Sequence, residues 1–275
     1  MTANQTTYVL GHSEQELERL ARQAKMIDPI TRRGYLKAGL APGMRVLDAG
    51  SGVGDVAFLA ASIVGPSGAV VGTDRVSVAL ETARARASAL GLSNVSFVEG
   101  DPTSLSFDEP FDAVIGRYVL MFQPDPVALL RGVALHARSG GLVAFHEPDW
   151  AAARSYPKCN LYDRACDWIV ELVKATNARE RMGAELTQAF VEAGLPAPAM
   201  EVGELIGGGE QATEPVSLVS EIIVNVLPEL ERHGIASESE VGPDDLYDRI
   251  LAEASEKNAT IVGRSEIVGW ARKQS

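Results

Sequence analysis

The stretch RVLDAGSGVGD, Arg45–Asp55, decides how the rest of the chain is read. Its first half is a short apolar strand begun at Met44, and its second half is a turn with glycine at 50, 52 and 54. Turns of this kind, between a buried strand and a helix, let the backbone approach a ligand closely and usually cradle phosphate. The dinucleotide spacing G-x-G-x-x-G would put its third glycine at 55, where this chain has an aspartate. A second acid, Asp48, ends the strand. Two carboxylates flanking the turn repel a pyrophosphate, and a ligand with a positive charge beside a nucleoside reverses that sign.

Outward from the turn the chain alternates. DVAFLAASIV is a helix stopped by Gly65-Pro66, GAVVGTD a strand, and SVALETARARASALG a helix ended by Gly91. NVSFVEGD and FDAVIGR are further strands, PVALLRGVALHA a helix, and GGLVAFHEP the fifth strand. Near-continuous apolar strands separated by helices of this length form a doubly wound, mostly parallel α/β sheet covered on both faces. Two helices are expected before it. The first opens at the Ser13/Glu16 capping box and the second at Asp28-Pro29, with Gly39 as its terminator. After Trp150 come two helices, a strand in AMEVGELIGG, a helical stretch from Glu214 to Asn258, and an extended finish in ATIVGRSEIVGWARK. The expected divisions are therefore an N-terminal helical lid segment, 1–41, and an α/β core, 42–213. A helical insertion, 214–258, acts as lid or acceptor-binding part, and 259–275 returns as the last strand of the core.

The balance of 25 basic against 37 acidic side chains, a net charge of −12, argues against a nucleic-acid partner, whose phosphates call for a basic face. The opening residues lack a basic region followed by an apolar block, and no run approaches the ~18 apolar residues of a membrane span. A cytoplasmic protein with no membrane partner is expected. Cys159 and Cys166 have no metal-ligand neighbours at zinc spacing, so no metal is expected and both read as structural thiols.

S-adenosylmethionine (SAM) answers the turn's requirements: it has an ammonium, a sulfonium, a ribose diol and an adenine, and no phosphate. Asp74, ending the second strand in VVGTDRV, is placed to accept both ribose hydroxyls, as an acid does in NAD sites too. Asp101, after the third strand in FVEGDPTSL, is placed to take the adenine amino group. With these residues in view, VLDAGSGVGD, VVGTDRV, FVEGDPTSLSF, FDAVIGRYVLMFQPDPVALL and GGLVAFHEPDW resemble the class I SAM-dependent methyltransferases, most closely the UbiE-related small-molecule group. The resemblance runs from Pro42 to Trp150 and more loosely through ELTQAFVEAGL and GWARK. It implies a seven-stranded sheet with an antiparallel last strand, and S-adenosylhomocysteine (SAH) as product. It also implies a cofactor site drawn from Asp48, Gly50, Ser51, Gly52, Gly54, Asp74, Arg75, Asp101, Pro102, Arg117 and Tyr118. Proline at 102 departs from the pattern, because it has no amide to offer adenine.

Methyl transfer from a sulfonium is an in-line displacement, so the protein chiefly aligns the partners and supplies a base only when the acceptor must lose a proton. FHEPDW offers His146 as the candidate base, with Asp149 and Trp150 beside it. Tyr8 and His12, in the N-terminal segment, and Phe122 complete the expected acceptor contacts. The apolar stretch SLVSEIIVNVLPEL is expected to cover a hydrophobic small molecule or to pair two copies of the chain. The acceptor is read as a small apolar or aromatic metabolite. Two other readings stand beside this one: a SAM-binding enzyme that transfers no methyl, such as a cyclase, and an NAD-dependent oxidoreductase.

Overall fold

The computed structural model describes the backbone of residues 14–274 and the side chains of residues 24–274. Tyr8, His12 and the Ser13 cap lie outside the described residues. Along the chain come α1 (Glu14–Ala38), β1 (Arg45–Ala49), α2 (Asp55–Val64), β2 (Ala69–Asp74), α3 (Ser77–Ala89), β3 (Val95–Glu99) and β4 (Phe111–Arg117). They are followed by α4 (Pro126–Ala134), β5 (Ala137–Asp149), β6 (Arg154–Tyr156), α5 (Asn160–Ala175), α6 (Met182–Glu192), β7 (Ala199–Gly203) and β8 (Ile206–Gly208). The remainder is α7 (Thr213–Arg232), α8 (Glu238–Val241), α9 (Leu246–Glu256), β9 (Thr260–Val262) and β10 (Ser265–Arg272).

These elements form two compact units. The first, Ala24–Ala151 with Asn177–Glu204 and the chain from Arg264 on, holds a seven-stranded sheet ordered β3-β2-β1-β4-β5-β10-β7. Six strands run in one direction, and β10 lies antiparallel between β5 and β7. The strand order turns back between β1 and β4, so the crevice beyond their carboxyl ends is the ligand edge of a doubly wound sheet. Helix–sheet packing fills the interior with Val46, Ala57, Ala60, Leu80, Ala113, Ile115, Leu142 and Val268.

The second helix start expected at Asp28-Pro29 does not occur, since α1 runs unbroken through Pro29. Asp28 pairs with Arg117 instead of capping, and packing of this helix on the sheet outweighs the single backbone bond that proline forfeits. Gly39, at φ +95°, does end the helix, as Leu40 N–H donates back to Tyr35 O at 3.0 Å. Inside α1, a Cβ on Gly34 would come within 2.6 Å of Val268, so glycine there lets the helix lie close on β10.

The second unit, described here from Ala152–Thr176 and Leu205–Gly263, combines α5, α7, α8 and α9 with a small antiparallel sheet ordered β6-β9-β8. It begins before Glu214, ends after Asn258 and takes in α5, so the insertion drawn from sequence at 214–258 is too narrow. AMEVGELIGG likewise divides, β7 joining the large sheet and β8 the small one. The apolar face of α7, expected to lie open for a ligand or a second copy, buries Val216, Val219, Ile223 and Leu230 and packs against α5 and α9. Cys159 and Cys166 are buried free thiols whose pKa values burial raises, that of Cys166 to about 12. No helix among the described residues is long and apolar enough to cross a membrane.

Candidate active site

Three left-handed glycines shape the turn after β1: φ is +74° at Gly50, +50° at Gly52 and +95° at Gly54. A Cβ on Gly50 would lie 2.8 Å from Val119 and one on Gly54 2.7 Å from Phe58, yet nothing stands within 4 Å of one on Gly52. The turn is therefore packed from both ends and open at its middle. Its amides are already used. Gly50 and Ser51 both donate to Thr73 O at 2.8 Å, Gly54 donates to Ser51 O at 2.9 Å, and Gly52 donates to Asp74 Oδ2 at 2.9 Å. A phosphate would find these four donors committed.

Asp74 also accepts from Val76 N through Oδ1, which fixes the carboxylate across the turn. Each oxygen keeps a further lone pair for an incoming hydroxyl. Asp48 is fully buried, and neither of its oxygens has a hydrogen bond of good geometry, the backbone N–H of Ala57 in the first turn of α2 being its one weak polar contact. Burial pushes its carboxyl up to about 7 against the pull of Arg117. The buried Ser51 Oγ is also without a partner. Asp55 differs from expectation: it pairs with Arg86 Nη2 at 2.7 Å, while Arg86 Nη1 bonds Val53 O. Its charge is neutralised from α3, so Asp48 is the acid that sets the sign of this turn.

Asp101 is likewise engaged. Its Oδ1 accepts from Thr103 N at 2.8 Å and Thr103 Oγ1 at 2.7 Å, and its Oδ2 pairs with Arg75. Partial burial opposes ionisation, but these bonds outweigh it and hold the carboxyl below its usual range. The acid expected to wait for an adenine amino group is thus held by Arg75, and Arg75 is turned to the acid. Pro102 is buried, with its carbonyl bonded by His136 Nε2 at 2.6 Å.

At the ends of β4 and β5 and the start of β10 a second constellation forms. Arg117 pairs with Asp28 at 2.7 Å and donates to Thr31 Oγ1 at 3.0 Å, which ties β4 to α1. Tyr118, in the left-handed region at φ +56°, donates its hydroxyl to Glu266 Oε2 at 2.7 Å. His146 is 0% exposed, with Nδ1 3.0 Å from Thr31 Oγ1 and Nε2 3.0 Å from Glu266 Oε2. Burial lowers its pKa, although Glu266 opposes the shift, so the ring stays neutral and donates from Nε2 to the carboxylate. Burial alone would raise Glu266, but Arg264 and His146 bring it down to about 2. His146 therefore has both nitrogens engaged and no open side, and the structure corrects its reading as a base. It is a strut between α1 and β10.

Glu147 is buried beside it. Its carboxylate accepts from the amides of Val119, Leu120 and Met121 and so pins the turn after β4, while burial pushes it up to about 8 against those bonds. Asp149 accepts from Ala151 N at 3.0 Å and lies 3.5 Å from Arg181, so it caps its own turn. Trp150 is buried, and Phe122 is 39% exposed in a 3-10 turn. The guanidinium of Arg264 sits 4.9 Å from the Tyr118 ring centroid and 4.7 Å from that of Trp150. The structure thus brings Tyr118, His146 and Trp150 together around Arg264 and Glu266, two residues the sequence reading did not single out. The one local hint was the pairing of opposite charges in GRSE, 263–266, where the last strand begins.

A model of the Methyltransferase domain family matches residues 40–194, more than half of the chain. The chain belongs to this family. It is 35% identical over 149 residues to aklanonic acid methyltransferase DauC of Streptomyces sp. (strain C5), covering 54% of this chain and 67% of that one. It is also 35% identical over 187 residues to 2-phytyl-1,4-naphtoquinone methyltransferase of Synechococcus elongatus, covering 65% and 76% respectively. Among solved structures the YcgJ protein of Bacillus subtilis shares the fold, with a TM-score of 0.53, 19% identity and coverage of 90% and 98%. As a SAM-dependent methyltransferase, the protein takes its methyl group from S-adenosylmethionine. In this methyltransferase the acid-flanked turn lies at the sheet edge where the strand order reverses, and the Arg264 cluster lies on the same edge beyond β5.

Proposed function

We propose that the turn after β1 holds the methionine part of SAM and that the methyl acceptor, a small apolar or aromatic molecule, lies beyond β4, β5 and β10. The observation that carries the first half is the buried, unpartnered carboxylate of Asp48 beside a turn whose amides are already engaged. A buried charge without a partner is costly, and a cationic ligand group relieves that cost. A phosphate would raise it. Gly52 leaves open space for close approach, and Asp74 retains lone pairs for a ribose diol. The residues present therefore fit SAM, which supplies a methyl group on a positively charged sulfur.

In this reading Asp48 and Ser51 face the amino-acid end, and Asp74 takes the ribose. Arg75 and Thr103 orient Asp101 near the base, with no amide from Pro102. On the acceptor side, the half-buried ring of Tyr118 and the buried ring of Trp150 supply flat apolar walls. The names of two relatives, which refer to an aromatic quinone and to an acid, support an acceptor of this class.

The test is thermal unfolding with SAM, SAH and NAD, followed by an assay for SAH release with a naphthoquinol acceptor. A ligand at ~100 times its Kd adds about 2.7 kcal/mol, or roughly 5–10 °C for a chain of this size. Shifts with SAM and SAH but not NAD, together with SAH release, are the expected result. A shift with NAD alone would return the protein to the oxidoreductases. SAM binding without SAH release from any acceptor would favour an enzyme of this fold that transfers no methyl.

A further inference from the structure

Arg264 stands immediately before β10, where Ser265 pairs with Asp149, so it lies on the ligand edge beyond the carboxyl end of β5. Its side chain is 6% exposed. Nε binds Glu266 Oε1 at 2.7 Å, and the guanidinium stands within cation–π distance of Tyr118 and Trp150. Its Nη2 is buried and has no hydrogen-bond partner. Native proteins leave few buried donors in this condition, because each forfeits the hydrogen bond it had in water. The acceptors around it serve other donors: Glu266 Oε1 takes Arg264 Nε, Oε2 takes both His146 and Tyr118, and the Tyr118 hydroxyl also meets the guanidinium, yet none of them reaches Nη2 with hydrogen-bond geometry.

We propose that Arg264 Nη2 binds the methyl acceptor and that the acceptor presents an oxyanion, a carboxylate or phenolate on a planar body. This inference rests on the reading of the neighbouring turn as the SAM site. An anionic oxygen makes the strong, charge-assisted partner that a guanidinium prefers, and the two aromatic side chains favour a flat molecule beside it. It also accounts for His146. In the transfer the acceptor oxygen forms a new O–C bond to the methyl carbon as the C–S bond breaks, and sulfur keeps that electron pair. An oxyanion and a sulfonium thus become a neutral ester or ether and a neutral thioether. With the acceptor already ionised no proton has to be removed, and a sealed His146 costs the reaction nothing. Arg264 acts by holding the acceptor ionised and in line.

The experiment uses the full chain saturated with SAH and titrates it calorimetrically with 2-naphthoate, with its neutral isostere 2-naphthamide, and with 4-nitrophenolate at a pH where it is ionised. The same titrations are run on Arg264→Lys, which keeps a charge for Glu266 but gives up the second nitrogen, and on Arg264→Met paired with Glu266→Gln. SAH is expected to bind all three proteins alike. At least one anion is expected to bind the wild type about tenfold tighter than the amide, and that preference to vanish in both variants. The arm that binds distinguishes carboxylate from phenolate. Equal binding of anion and amide by the wild type, no anion binding, or a preference that survives in both variants would overturn the proposal. The first two outcomes need no variant. Failure of the wild type to bind SAH would overturn the cofactor reading first, and the oxyanion proposal with it.

Discussion

At the ends of β1 and β2 the ligand edge is made of backbone, three left-handed glycines around one unpartnered carboxylate, Asp48. At the ends of β4, β5 and β10 it is made of side chains, a buried polar cluster with one unpartnered guanidinium nitrogen, Arg264 Nη2. Each side leaves a buried charged group unsatisfied, Asp48 next to the equally unpartnered Ser51 Oγ on one side and Arg264 on the other, and the two charges have opposite sign. The difference suits the two ligands proposed above: a cofactor cation that needs close backbone approach, and an acceptor anion that needs a directional donor. The backbone side tolerates little variation because positive φ admits few residues besides glycine. Side-chain clusters can change residue by residue, which is where acceptor specificity would be expected to vary.

Breaking the side-chain half should have the largest effect. Glu266→Ala strands Arg264 and removes the acceptor of His146 and Tyr118, which should cost about 3–5 kcal/mol in urea unfolding. A loss below ~1 kcal/mol would mean the cluster is a bystander to folding. On the backbone half, Asp74→Ala removes the acceptor of Gly52 N and Val76 N and the expected ribose contact. SAM affinity should fall roughly 100-fold, about 2.7 kcal/mol, by isothermal titration. An unchanged Kd would remove Asp74 from the site.

The smallest and most discriminating effect concerns Asp48→Asn. The folded carboxyl lies near about 7 against an ordinary 3.8, raised by burial, so the folded state holds a proton that the unfolded state has released between those values. The stability it contributes is present below the ordinary value and is lost as pH rises through the folded one. Asp48→Asn should therefore be more stable than the wild type above the folded value, with the gain shrinking as the pH is lowered. Wild-type affinity for SAM should rise as pH increases through the same window, and that of the variant should stay flat. A variant no more stable than wild type above the folded pKa would mean that Asp48 already has a partner.

Local features of the chain were enough to read the alternation of strands and helices, the glycine turn with Asp48 and Asp74, and the kind of ligand they suit. Apolar runs, helical periodicity and turn chemistry act over a few residues, so they show in any short window of sequence. The partners of the charged groups do not. Asp55 meets Arg86 from α3, Asp101 meets Arg75, and His146 lies between Thr31 and Glu266, 115 and 120 positions away. Nothing near His146 in the chain marks it as sealed, and nothing near Arg264 marks it as the residue left with a free donor. Tertiary structure decided both, because whether a buried charge is satisfied depends on which distant strand and helix ends the sheet topology brings together.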